Sequence, residues 1–448
     1  MSRPSAASDL DPDRLVDAFV RDLPQPNRYW IAYSGGIDST VLLHLLASVR
    51  DRLPATLTAV HVDHGLQPGS ASWAAHCRAR CAALGVPLVV HTVDAHPRRG
   101  QSPEAAARDA RYDAIAAGMG VDDMLLTAHH EDDQAETVLL QLLRGAGVDG
   151  LSAMPSCRHW RHGWLARPLL AVPRAQLVAW AHARQLAWID DPSNDAAVAD
   201  RNFLRHEILP RLHARWPAAS RSLARSAQWC AEAAQIVEAR AATDLASAAV
   251  AEGTRLSTAV LCGLPDARAT GLLRHWLDVR AAPPMPAARL HQALDQLCHA
   301  RDDAQPLVAW AGFALRRYRG EVWLVDTATV AVPSGRRVWT GADMDLGPGL
   351  GRIVSREAPG GIDADRWRNG VIEIGYRRSG LRCALRGRQG TRDFKQLAQE
   401  HGIPPWLRDR VPLVYVDGEL AAVAGCCVCE PFSAGSAHGF WPVWLHDE

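Results

Sequence analysis

The segment Ser34-Gly35-Gly36-Ile37-Asp38-Ser39 stands between an apolar run at residues 29–33 and a helical pattern that begins near Asp38. Two glycines let the backbone turn tightly and bring amide groups close to an anion. The two serines add hydroxyl donors, and the following helix N-terminus adds a favourable dipole. The pattern is a phosphate cradle, with Ser34, Gly35, Gly36, Ile37, Asp38 and Ser39 as its phosphate-binding residues. Asp38 is the odd member, because a carboxylate beside phosphate oxygens repels them unless a cation such as Mg²⁺ is shared. Such a loop requires a strand before it and a helix after it, and the neighbouring sequence continues that theme. Short apolar runs at 29–33, 57–62, 87–93 and 124–128 alternate with helical patterns starting near Asp38, Gly69 and Pro103. The expected fold is α/β, a Rossmann-like parallel sheet with its ligand at the carboxyl ends of the strands.

The chain has 448 residues, enough for about three domains at roughly 150 residues each. The strand signals fade after residue 170, and 190–194 is a dense turn cluster. The arginines at 201, 205, 211 and 215 lie on an exit helix. We place a catalytic domain at 1–216, a mainly helical domain at 217–330 and a small α+β domain at 331–448. Lys+Arg and Asp+Glu number 49 each, so any nucleic-acid surface must come from local clustering. Lys395 is the one lysine, which excludes a Walker A loop and a Schiff-base enzyme. The ten cysteines form no paired framework and are expected to be reduced thiols. With no export signal and no apolar stretch of membrane length, the expected setting is cytoplasmic, with no membrane partner.

Three further groups cluster at predicted strand ends. His61-Val62-Asp63-His64 closes the second apolar run, and Asp63 and His64 are candidates for a site role there. Arg108 and Arg111 are three apart on a helix and share a face that can meet a phosphate. After the fourth run come His129, His130 and four acidic residues, including Asp133 and Glu136. Ala135, Val138, Leu139, Leu142 and Leu143 follow helical spacing and are expected to face the core, leaving Asp133 and Glu136 together beside it. Helix-dipole compensation explains acidic residues at a helix start. It does not explain so many beside a phosphate loop, whereas a pocket for a cationic substrate or Mg²⁺ does.

The loop resembles that of the PP-loop ATP pyrophosphatases, which release AMP and pyrophosphate. The loop, residues 61–66, 127–137, 144–147, 167–170, 191–194 and 201–202 together resemble the bacterial tRNA(Ile)-lysidine synthases. Residues 387–395 and 403–410 are similar to the carboxyl-terminal domain of the long form of that family. The resemblance implies ATP as substrate with Mg²⁺ as cofactor, held by Asp38. It implies a tRNA(Ile) with anticodon CAU and free lysine as partners, and it admits a homodimer. It also implies adenylation of the wobble cytidine and displacement of AMP by lysine. Catalytic roles then fall to Asp38, Asp133, Glu136, His64 and Arg108 or Arg111, and ATP contact to the loop and Asp63. Asp133 and Glu136 would hold lysine or Mg²⁺.

Residues 366–410 carry eleven basic residues against four acidic ones. This local surplus fits an RNA backbone surface, with Arg377, Arg378, Arg386, Arg388, Arg392 and Lys395 as contacts and Arg201 and Arg205 as a second set. Two rivals remain: a tRNA thiolase on the same fold, and an RNA-binding protein with an inactive loop. A thiolase would want a cysteine pair in the catalytic domain, and the C-x-x-C spacing occurs only at 426–429.

Overall fold

The computed structural model describes residues 10–63, 70–94, 103–190, 200–301, 304–377, 381–385 and 390–446, which divide into two compact units, 1–236 and 237–448. The first unit is built on six strands: β1 (Arg28–Ala32), β2 (Thr56–Asp63), β3 (Leu88–Thr92), β4 (Met124–Leu126), β5 (Cys157–Trp160) and β6 (Gly163–Ala166). Their order is β3-β2-β1-β4-β6-β5, and every pairing is parallel except β5 with β6. Strand order reverses between β1 and β4. In such a sheet the crevice outside the carboxyl ends at that reversal is the natural ligand position. The loop at 34–39 follows β1 and the His-rich turn at 127–130 follows β4, so both border it.

Burial on both faces explains the unbroken apolar character of β1. Tyr29, Ile31 and Tyr33 pack into one core with Val41, Leu42 and Leu45 of α2 (Ile37–Ser48), while Trp30 joins Ile115, Leu125 and Leu165 in a second core. Trp30 Nε1 donates to Asp123 Oδ2 at 2.8 Å, which satisfies the one polar atom this strand buries there. The other helices around the sheet include α3 (Ser70–Leu84), α4 (Pro103–Gly118), α5 (Glu131–Leu143), α6 (Val148–Leu151) and α7 (Arg174–Ala183). The segment after 200 is helical with a π-turn, Leu204–Ile208, between Asp200–Phe203 and Leu209–Arg215.

One expectation fails in α5. Ala135 and Val138 are buried, but Leu142 and Leu143 are 56% and 76% exposed, and the inward positions belong to Asp133, Gln134 and Glu136. Only the first turns of this helix are packed inward, and they face charged partners rather than an apolar core. Hydrophobic spacing therefore overstated how far the core extends.

The second unit has two cores. In one, helices Thr258–Gly263, Asp266–Val279 and Ala287–His299 pack Leu272, Trp276, Leu290 and Leu297 against a five-stranded antiparallel sheet drawn from 249–326. In the other, a five-stranded sheet including Ile372–Gly375 and Leu413–Val416 packs with a three-stranded sheet and two short helices, Ala364–Asn369 and Phe394–Glu400. The expectation of uniformly reduced thiols is corrected here. Cys262 is bonded to Cys298 and Cys383 to Cys429, each pair with Cα atoms 5.4 Å apart. The folding of distant segments onto one core places these sulfurs together. Among the described residues no helix is long and apolar enough to cross a membrane.

Gly35 has φ +89°, and a Cβ there would lie 2.6 Å from Ile189 Cδ1 and 3.2 Å from Cys77 Sγ. Gly35→Ala is expected to cost about 1–3 kcal/mol of stability through backbone strain and this clash. A urea titration reads the loss, and an unmoved midpoint would show that the loop relaxes freely.

Candidate functional site

The loop after β1 is held by its own side chains. Ser34 and Ser39 hydroxyls lie 3.1 Å apart, Ser39 Oγ donates to the Gly36 carbonyl at 2.9 Å, and Ile189 N donates to the Gly35 carbonyl at 2.9 Å. Gly36 caps α2 with no side-chain cap, so the first-turn amides of a twelve-residue helix are left for an incoming anion. Asp38 sits in that turn. Its Oδ1 is sealed from solvent without a hydrogen bond, with Arg174 Nε 3.7 Å away. A carboxylate oxygen with unspent lone pairs beside a phosphate cradle suits Mg²⁺, which takes one or two protein carboxylates and fills its other positions with phosphate and water.

Across the crevice, α5 begins with a reciprocal cap. Asp133 N donates to His130 Nδ1 at 3.3 Å, and His130 N donates to Asp133 Oδ2 at 3.0 Å. The other oxygen of Asp133 receives Arg201 Nη2 at 3.1 Å and Arg205 Nη2 at 2.8 Å. One turn on, Glu136 is wholly buried and receives Arg201 Nε at 2.7 Å and Arg205 Nε at 2.6 Å. The two arginines that sequence assigned to RNA thus hold the two carboxylates that it assigned to lysine or Mg²⁺. Arg205 lies on the π-turn, a distortion often found at functional sites.

Burial opposes ionisation of Asp133, yet His130 and the arginines outweigh it and lower its pKa. Burial likewise disfavours charge on His130, but Asp38, Asp133 and Asp132 raise its pKa on balance. His130 Nε2 is 3.3 Å from Asp133 Oδ2 and 3.7 Å from Asp38 Oδ2, so it links the loop to α5. Asp132 Oδ2 accepts from Arg174 N at 2.9 Å, and its Oδ1 accepts from Ser220 Oγ at 2.7 Å. His130 and Arg174 were not singled out from sequence. The paired histidines were a visible signal for the first, and nothing local marked the second.

His61 faces inward, its Nδ1 2.9 Å from the Tyr33 carbonyl, and burial lowers its pKa; it props the β1 loop as a neutral ring. Asp63 ends β2 and is half-buried. Arg108 lies over the Tyr112 ring at 5.7 Å, and Arg108 and Arg111 are both exposed on α4. In the second unit Arg377 pairs with Asp409 at 3.0 Å, Arg392 lies 3.7 Å from Glu400, and Lys395 is exposed. His64, Arg378, Arg386 and Arg388 lie outside the described residues.

Burial, opposed by Asp133 and reinforced by Arg167, Arg201 and Arg108, pulls His129 down to about 4. Between that value and the ordinary value of about 6.5 only the unfolded chain takes up the proton, so stability falls as pH drops through this window. His129→Gln should therefore flatten the loss of unfolding free energy between about pH 6.5 and 4.5. Parallel wild-type and variant curves in urea would contradict a ring held neutral in the folded chain.

Comparison with known proteins matches a PP-loop domain at residues 10–212, a TilS substrate binding domain at 256–323 and a TilS substrate C-terminal domain at 372–443. The tRNA(Ile)-lysidine synthase of Methylococcus capsulatus is 43% identical over 413 residues, 92% of this chain and 94% of that one. That of Coxiella burnetii is 37% identical over 433 residues, 96% of each chain. Among solved structures, a TilS C-terminal domain is 24% identical, covering 24% of this chain and 93% of that one, with a TM-score of 0.20. The U34-tRNA thiolase NcsA of Methanococcus maripaludis is 19% identical, covering 49% and 77%, with a TM-score of 0.42. From the matched domains and from identity sustained along nearly the whole chain, this protein belongs to the tRNA(Ile)-lysidine synthase family of ligases, which use ATP through a PP-loop domain.

Proposed function

We propose that the chain joins free lysine to C2 of the wobble cytidine of a tRNA(Ile) with anticodon CAU, yielding lysidine, AMP and pyrophosphate. Decoding then moves from AUG to AUA, and amino-acid identity from methionine to isoleucine. The observation that carries this reading is the meeting, at one sheet edge, of a phosphate cradle with a carboxylate set suited to a cationic nucleophile.

In the first step cytosine O2 attacks the α-phosphorus of ATP and pyrophosphate leaves. Residues 34–39 receive the pyrophosphate through amide and hydroxyl donors, and Arg108 or Arg111 meets charge at the α-phosphate. Mg²⁺ on Asp38 supplies neutralising charge when bound, and Asp63 borders the nucleotide. In the second step the lysine amine attacks C2, the C–O bond to the adenylyl group breaks, and AMP departs. The amine must shed a proton to attack, and Asp133 and Glu136 are the acceptors within the site. A cavity of about 500 Å³ adjoins Glu136, lined also by Asp132, Arg174 and Arg205 with an apolar wall of Val178, Leu209 and Pro210. This chemistry matches lysine: carboxylates for the ammonium, arginines for the α-carboxylate, and methylene contact for the stem. Arg201 and Arg205 release part of their grip as the amino acid or an RNA phosphate enters.

Thiolation is the weaker reading. Burial pushes the Cys77 thiol up to about 12 and Cys81 up to about 11, which leaves no nucleophilic thiolate beside the loop.

Product mass after mixing the protein with ATP, Mg²⁺, lysine and a CAU-anticodon transcript tests the reaction; ADP as spent nucleotide, or sulfur in the RNA, would refute it. Glu136→Gln should raise the lysine KM about tenfold or more while pyrophosphate release stays measurable, because a charge-assisted contact is lost. Unchanged lysine kinetics would remove Glu136 from that role. Arginine-to-alanine changes at 377 and 392 should weaken tRNA binding and reduce its salt slope by about one each. Binding indifferent to them would move the RNA surface elsewhere.

A further inference from the structure

One buried cation has no part in the steps above. Arg167 directly follows β6, and its backbone is fixed there: Thr127 N donates to the Ala166 carbonyl at 3.0 Å, and Arg167 N donates to the Ser156 carbonyl at 2.8 Å. The residue is 6% exposed. Nη1 donates to the Pro155 carbonyl at 2.7 Å, while Nε is sealed from solvent and has no hydrogen-bond partner. Burial, opposed by Tyr112 and reinforced by Arg158 and Arg108, lowers its pKa to about 10, so the group is still charged at neutral pH.

A guanidinium taken out of water costs several kcal/mol unless an anion meets it. Arg201 and Arg205 satisfy that demand with Asp133 and Glu136. Arg167 does not: among the described residues no carboxylate pairs with it, and the charged neighbours that act on it are arginines. A single neutral carbonyl anchors it without compensating its charge. Its field also reaches His129, which Arg108 and Arg201 help to keep neutral. β6 pairs in parallel with β4, so Arg167 stands at the carboxyl end beside the β4 turn, which borders the crevice that the 34–39 loop borders from β1.

We propose that Arg167 is a further phosphate-binding residue of this site, presenting its forked donors to a phosphoryl oxygen of the adenylyl group. This rests on the adenylation reading above. A planar, permanently charged fork suits an anion that carries charge before and after bond exchange at phosphorus. An RNA backbone phosphate offers the same chemistry from a second source, and the experiment separates the two.

Arg167→Gln keeps an amide donor for the Pro155 carbonyl and removes the charge; Arg167→Met removes both. Full-length proteins are titrated with ATP, AMP and adenosine, and separately with the tRNA transcript, while circular dichroism and Tm report folding. The expected result is that Arg167→Gln folds and loses about tenfold or more in AMP and ATP affinity, with adenosine affinity unchanged. Loss confined to tRNA, with a salt slope lower by about one, keeps the phosphate role and moves it to the RNA backbone. Wild-type affinity for AMP, ATP and tRNA in a folded Arg167→Gln overturns the proposal. If Arg167→Met alone unfolds, the Arg167→Gln titrations still decide. These titrations need no turnover, so a wild-type protein that forms no lysidine would sink the reaction scheme without touching them.

Discussion

Glu136 has no exposed surface, and a carboxylate in that position is tolerable only where cations meet it. Arg201 and Arg205 meet it, and with Asp133 they form a compact lattice of charge-assisted hydrogen bonds that fastens the helical segment after 200 to the first turns of α5. Much of the site depends on this lattice. It fixes Asp133, whose second oxygen caps α5 through His130, and His130 in turn faces Asp38 at the loop. Loop, cap and exit helix are thereby linked through polar contacts. Removing one partner would leave the others as uncompensated buried charge, so any ligand that engaged one of them would do so by an exchange of partners.

The crevice at the strand-order reversal is electrically divided. On one side Asp38, Asp132, Asp133 and Glu136 gather negative charge. On the other, Arg167 and Arg108 gather positive charge around a neutral His129. The proposed reaction, which brings a triphosphate and a cationic amine to one site, needs both, kept apart so that each does not satisfy the other. The β4 turn carries both histidines, and their pKa values are displaced in opposite directions, His129 down by burial and His130 up by Asp38, Asp133 and Asp132.

Legibility differed sharply among parts of the chain. The 34–39 loop could be read because its residue types are contiguous and its flanks are a strand and a helix. The predicted parallel strands were legible as apolar runs, which burial on both faces demands in β1, β2 and β4. The inward face of α5 was misread, since hydrophobic spacing takes every inward position to be apolar and placed Leu142 and Leu143 there instead of Glu136. The antiparallel sheet of 249–326 was also unread, because its short strands lie among Ala- and Leu-rich helices whose periodicity dominates.

The amino-acid sequence by itself determined the parallel β/α scaffold, the phosphate cradle and the family likeness, all of which are written in local order. Only the tertiary structure decided that Arg201 and Arg205 serve Asp133 and Glu136, residues 65 to 72 positions away, that Cys262 meets Cys298, and that Arg167 is buried without an anion. The physical reason is the same in each case. Charge pairing, thiol proximity and desolvation depend on which segments the core brings together, and neither spacing nor residue type carries that information across such separations.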